Sequence, residues 1–127
     1  MAKSAEQDLG RQAERAAERE LRRQGYRIVA RNVRAAGGEL DLVALQGDTV
    51  CFVEVRSRSA GDLASALRSV GVAKRRQLTK LARAFLHQRR LEGVPARFDV
   101  VAVVPEPTGG YRVSIIADAF PAQGRYA

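Results

Sequence analysis

The chain has 127 residues, 46% of them apolar, and 22 lysines and arginines against 14 acids, for a formal net charge of +8. That size closes a single core, so one domain over residues 1–127 is expected, with 1–8 and 121–127 as flexible ends. The composition excludes a bilayer-crossing segment, a signal-like N-terminus and a standard zinc site, since only Cys51 and His87 supply thiol or imidazole.

The first element is a helix from about Ala5 to Gln24, because Leu9, Ala13, Ala16, Ala17 and Leu21 recur at helical spacing and Gly25 stops it. "YRIVARNV" (Tyr26–Val33) alternates like a strand, and "RAAGG" turns the chain. Two more strands, "ELDLVALQ" and "TVCFVEVRSR", are joined by Gly47-Asp48. A polar loop, Ser59–Asp62, leads to a short helix, Leu63–Val70. The longer helix Ala73–Gly93 buries Leu78, Leu81, Ala82 and Phe85. Phe98–Val104 is an almost unbroken apolar strand, as expected at a central sheet position covered on both faces. "TGG" turns into the last strand, "YRVSIIA". The order predicts a mixed three-layer α/β domain. Cys51, alone and within an apolar strand, reads as a buried thiol in a reducing, cytoplasmic setting.

Glycine at position 47 suits a two-residue hairpin loop. Counting back from Gln46 opposite Thr49, the register sets Val43 against Phe52, Asp41 against Glu54 and Glu39 against Arg56. Opposed residues share a face with Cβ atoms about 4.5–5.5 Å apart. Two carboxylates therefore stand side by side, and like charges so placed destabilise a sheet unless compensated. A divalent cation, a nearby arginine or a shared proton would each compensate. Paired carboxylate oxygens suit Mg²⁺ (or Mn²⁺), which keeps waters for a substrate phosphate and neutralises charge on a phosphodiester. Plainer readings stand beside this one: acids at an exposed hairpin end, a simple Glu39–Arg56 ion pair, or a bulge that breaks the register.

Asp41 followed on the next strand by Glu54-Val55-Arg56 resembles the D…(D/E)-x-K signature of the restriction-endonuclease-like superfamily, with Arg in the Lys place. "GELDLVA", "FVEVRSR", "GYRIVARNVR" and "RFDVVAV" together resemble the YraN family, small bacterial proteins similar to archaeal Holliday-junction resolvases. The likeness runs from about Gly10 to Phe120. It implies a three-layer restriction-endonuclease-like fold, an αβββαβ core with a mixed central sheet, and Mg²⁺-dependent hydrolysis of DNA, branched DNA included. It further implies Asp41 and Glu54 as metal ligands, catalytic together with Arg56. The Val55 carbonyl and Glu14 would complete the shell, Glu14 matching the acid of a helix-one "G-x-x-G-E" pattern in which Ala13 replaces the second Gly. Arginine stays protonated, so Arg56 can stabilise phosphate charge but cannot act as a base. Lys74 is the substitute if the long helix packs beside the hairpin. A helical wheel sets Glu14 at the edge of the apolar stripe, Glu18 nearer solvent and Glu20 on the stripe, so it does not by itself select Glu14.

The charge excess points to a polyanionic partner, and the low aromatic content argues against a base-stacking platform. Arg76, Lys80, Arg83, His87 and Arg90 recur at steps of four and three along the long helix, with Arg75 and Arg89 beside them, and no acid offsets the row before Glu92. Such a row could follow a phosphate backbone or be an ordinary solvated face. A second group, Arg31, Arg34, Arg56 and Arg58, falls at strand ends near the acids. The expected function is a Mg²⁺-dependent endonuclease acting on DNA rather than RNA. The rivals are a catalytically inactive DNA- or RNA-binding module on the same fold, a ribosome-associated protein and a protein adaptor. A junction-cutting enzyme would need two active sites, hence a homodimer, although the sequence carries no interface signature.

Overall fold

The computed structural model of the chain describes residues 5–35, 37–59 and 63–124, with side chains from residue 10 onward. The expectation about the chain ends therefore falls in part, at 1–4 and 125–127, outside the described residues, as does the loop expectation at 60–62. Helix α1 (Ala5–Arg23) is followed by β1 (Arg27–Ala35), β2 (Gly38–Gln46) and β3 (Thr49–Ser57). Then come α2 (Leu63–Arg68), α3 (Val72–Gln88), β4 (Ala96–Pro105) and β5 (Tyr111–Phe120).

The five strands form one sheet in the order β1-β2-β3-β4-β5. Only β3 and β4 run parallel; the other neighbours are antiparallel. The crossover between the parallel pair carries α2 and α3, which is what a parallel connection requires. Helix α1 covers one face, where Ala13, Ala16, Ala17 and Leu21 meet Leu42, Ala44, Cys51, Val53, Val101 and Val103. Helix α3 covers the other, where Leu78, Leu81, Ala82 and Phe85 meet Val43, Phe52, Phe98 and Val100. Six successive β4 residues, Phe98 to Val103, are buried, because this strand is sandwiched between both helical layers.

Two differences from the sequence reading have local causes. Helix α3 ends at Gln88 rather than Gly93, with Arg89 as its cap and Arg90 at φ 56, outside helical geometry. Arg89 and Arg90 therefore leave the expected basic row. The hairpin pairing follows the expected register from Gln46↔Thr49 through Val43↔Phe52 to Leu42↔Val53, and stops there. Beyond that point Leu40 packs on the same face as Val43, three residues on, where a regular strand would put them on opposite faces. Opposite this irregularity, Asn32 on β1 adopts φ 49. The irregularity in β2 falls between Leu40 and Leu42, at Asp41, since these two leucines pack on opposite faces.

Candidate functional site

The turn in β2 decides what Asp41 does. Its Oδ2 accepts a hydrogen bond from the Val55 backbone N–H at 2.9 Å, standing in for the main-chain partner that the interrupted ladder no longer supplies. Glu54, one residue back, is 5% exposed, as deeply buried as its apolar neighbours on β3. Burial and the adjoining Asp41 carboxyl, which hydrogen-bonds with it, push the Glu54 carboxyl up to about 8. The Asp41–Glu54 juxtaposition expected from the hairpin is thus present, although the two residues are not opposed in the backbone ladder.

Cations surround the pair. Arg56 Nη2 donates to Glu54 Oε2 at 2.8 Å, and Lys74 Nζ stands 3.6 Å from the same oxygen. Lys74 reaches it from the first turn of α3, a helix that packs against the β2 strand of the hairpin, the packing on which its expected substitution for the motif lysine depended. Arg56 does not pair with Glu39. Glu39 instead meets Arg34, its cross-strand partner on β1, with 3.4 Å between nitrogen and oxygen. The expected Glu39–Arg56 pair fails because the hairpin ladder has already ended at Leu42. The Nε atoms of Arg56 and Arg58 are buried without a hydrogen-bond partner.

Glu14 projects from α1 and is partly buried; desolvation first, then the charges of Asp41 and Glu39, raise its carboxyl above the ordinary range. It approaches the pair without joining it closely. Among the described residues no group of three or more His, Cys, Asp or Glu side chains is close enough to hold a metal. Glu18 and Glu20 are engaged elsewhere, Glu18 by Arg22 and Arg31 and Glu20 by Arg23 and Gln24. Arg31 is therefore committed to an ion pair within the protein, and Arg34 to Glu39.

The row on α3 lies apart from the acids. At about 100° per residue, Arg76, Lys80 and Arg83 fall on the side of the helix opposite Lys74, and Arg76 and Lys80 are exposed. His87 is taken by Glu92, whose Oε1 is 2.6 Å from Nδ1. The acid beyond the row thus does offset its last member.

The sequence reading missed a buried polar cluster. Asp99, fully buried on β4, accepts from the Tyr26 hydroxyl at 2.9 Å, from Arg97 Nε at 2.9 Å and from the Asp118 N–H at 2.9 Å. Arg97 also donates to Tyr26 and to Gln46. A carboxylate inside an apolar strand is costly unless paired, so the aspartate of "RFDVVAV" with an arginine two residues before it was a readable signal. Cys51, near Asp99, has its thiol pushed up to about 11, chiefly by burial, which makes it an unreactive core residue.

A helix, an antiparallel three-strand meander, a helical crossover and a fourth strand parallel to the third define a mixed three-layer α/β protein, with an acid pair where the β2–β3 ladder ends. The chain belongs to the uncharacterised protein family UPF0102, the YraN family of the motifs above, whose family model matches residues 13–103. It is 47% identical over 120 residues to a UPF0102 protein of Ectopseudomonas mendocina (strain ymp), covering 94% of this chain and 99% of that one. It is 42% identical over 121 residues to a UPF0102 protein of Pseudomonas syringae pv. syringae (strain B728a), covering 94% and 98%. A solved structure of Pyrococcus furiosus SfsA in complex with Ca²⁺ is a distant likeness, with TM-score 0.39 and 17% identity over 87% of this chain and 62% of that one. Among the described residues no helix is long and apolar enough to cross a membrane.

Proposed function

We propose that this protein binds nucleic acid and hydrolyses DNA phosphodiesters with Mg²⁺ or Mn²⁺ at the Asp41–Glu54 pair. The observation carrying the reading is that pair itself: two carboxyls forced together at a deliberate break in the sheet, one of them held above neutrality by burial and by the other. A structure that only needed stability would not keep such a pair beside Phe52 and Val53. The donor set is all oxygen, which fits a hard divalent ion. Asp41 and Glu54 would hold it, with the Val55 carbonyl and Glu14 as the remaining candidates. When bound, the ion supplies a water of lowered pKa and positive charge at the phosphoryl oxygens.

The chain's own residues divide the remaining tasks. Without a cation, Glu54 keeps a proton, which lowers its repulsion with Asp41. Lys74 and Arg56 hold positive charge against Glu54 and stabilise negative charge developing on a phosphate; Arg56 does this as a permanent cation and takes no proton.

A specific observation favours a second reading, a binding module without catalysis. Arg56 already occupies Glu54 at 2.8 Å, so an arginine could be the compensation that a metal would otherwise provide. Two measurements separate the readings. Calorimetric titration of Mn²⁺ should show binding to the wild type and none to Asp41→Asn, in which an amide oxygen can still accept from Val55. A supercoiled plasmid or four-way junction should be cut by the wild type with Mg²⁺ or Mn²⁺ and not by the variant. Salt-sensitive DNA retention without Mn²⁺ binding or cutting would leave only the binding module.

A further inference from the structure

We propose that the cleft between α1 and the distorted part of β1 holds the phosphate backbone of a DNA duplex where it approaches the acid pair, with Arg11 and Arg15 as its contacts. This rests on the nucleic-acid reading above and names the surface that performs it. The cleft, about 400 Å³, is lined by Arg11, Glu14, Arg15, Glu18, Arg31 and Asn32. Glu14 belongs to this lining and also feels the charge of Asp41, and Leu42, next to Asp41, lines the cleft too, so the cleft lies on the Asp41 side of the pair.

Its charge is organised for an anion. Glu18 is neutralised from inside the protein by Arg31, through a bidentate contact, and by Arg22 at 2.8 Å. That leaves Arg11 and Arg15, both exposed; Arg15 has no ion-pair partner among the described residues. At i and i+4 their Cβ atoms lie about 5–6 Å apart on one helix face, close enough to grip one stretch of backbone. The lining has no aromatic ring on which a base could stack, which favours backbone contact over single-strand capture. Arg19, one turn further, lines a different groove with Tyr111 and Val113 and so provides a matched comparison on the same helix. The exposed row on α3 faces away from Lys74, whereas the α1 arginines share their cleft with Glu14 and Leu42.

Anisotropy of a labelled DNA duplex, measured across a salt series with EDTA present, tests the assignment. Arg11→Glu with Arg15→Glu should weaken binding at least about tenfold and reduce the slope of log affinity against log salt by about two. Arg19→Glu should stay within about twofold of wild type. If the glutamate pair does not fold, as judged by circular dichroism, Arg11→Gln with Arg15→Gln should show the same direction. Wild-type affinity and slope in the double variant, an equal loss in Arg19→Glu, or a loss confined to an RNA duplex would each overturn the proposal. A wild type that retains no nucleic acid at all would overturn the functional reading as well, so the two failures are distinguishable.

Discussion

Glu54 is a carboxyl whose surroundings prefer it neutral, and that preference has a measurable sign. Its folded value is raised to about 8 from an ordinary 4.5, by burial first and then by Asp41. The native state therefore holds a proton that the unfolded chain releases between those values. The associated stability is complete below the unfolded value and is lost as pH rises through about 8. Glu54→Gln removes the titration, so from pH 5 to pH 9 its stability should rise relative to wild type, by a few kcal/mol in order of magnitude. Urea denaturation at the two pH values measures the difference; parallel behaviour of the two proteins would contradict it. Saturating Mn²⁺ should restore the wild type at pH 9 and leave the variant unaffected, because only the wild type keeps both carboxylates.

The break in β2 is the element that makes this site, and the β1–β2 turn helps to fix it in place. Gly37 at φ 96 and Gly38 at φ 152 carry the chain through a turn that α3 holds directly, Gln77 donating its amide N–H to the Gly37 carbonyl. A Cβ on Gly38 would sit 2.5 Å from Gln77 Nε2 and would need a backbone conformation that L side chains rarely adopt. Gly38→Ala should therefore cost about 1–3 kcal/mol, read as a lowered Tm, and should loosen the turn that precedes Asp41. Gln77→Ala, which removes the contact without the backbone penalty, should cost less. Equal losses in the two variants would assign the effect to the hydrogen bond alone. Periodicity made the helices, strands and hairpin legible, since apolar spacing reports which faces are covered. It could not report where the β2–β3 ladder stops, because the apolar pattern carries no mark of the irregularity at Asp41.

For the molecule as a whole, Asp99 ties together elements far apart in the chain. Tyr26 precedes β1, Gln46 ends β2, Arg97 begins β4 and Asp118 lies in β5, and all meet at this carboxylate or at the arginine bound to it. Asp99→Ala leaves the Arg97 guanidinium without its counter-charge and the Tyr26 hydroxyl and Asp118 N–H without their acceptor, and should cost about 3–5 kcal/mol. Tyr26→Phe removes one hydroxyl and should cost about 1 kcal/mol. Chemical denaturation distinguishes these; near-equal losses would mean that the aspartate is not the hub.

The sequence alone determined the order of elements, the apolar faces of both helices and the hairpin that brings Asp41 toward Glu54, because each follows from spacing along a short stretch of chain. The tertiary structure decided which cations surround that pair: Lys74 and Arg56 at Glu54, and Arg34 rather than Arg56 at Glu39. It also turned the α3 row away from Lys74, set the α1 arginines in one cleft with Glu14 and gathered the Asp99 cluster. Ion pairing between residues distant in the chain depends on how packed layers aim their side chains, and linear spacing carries no record of that.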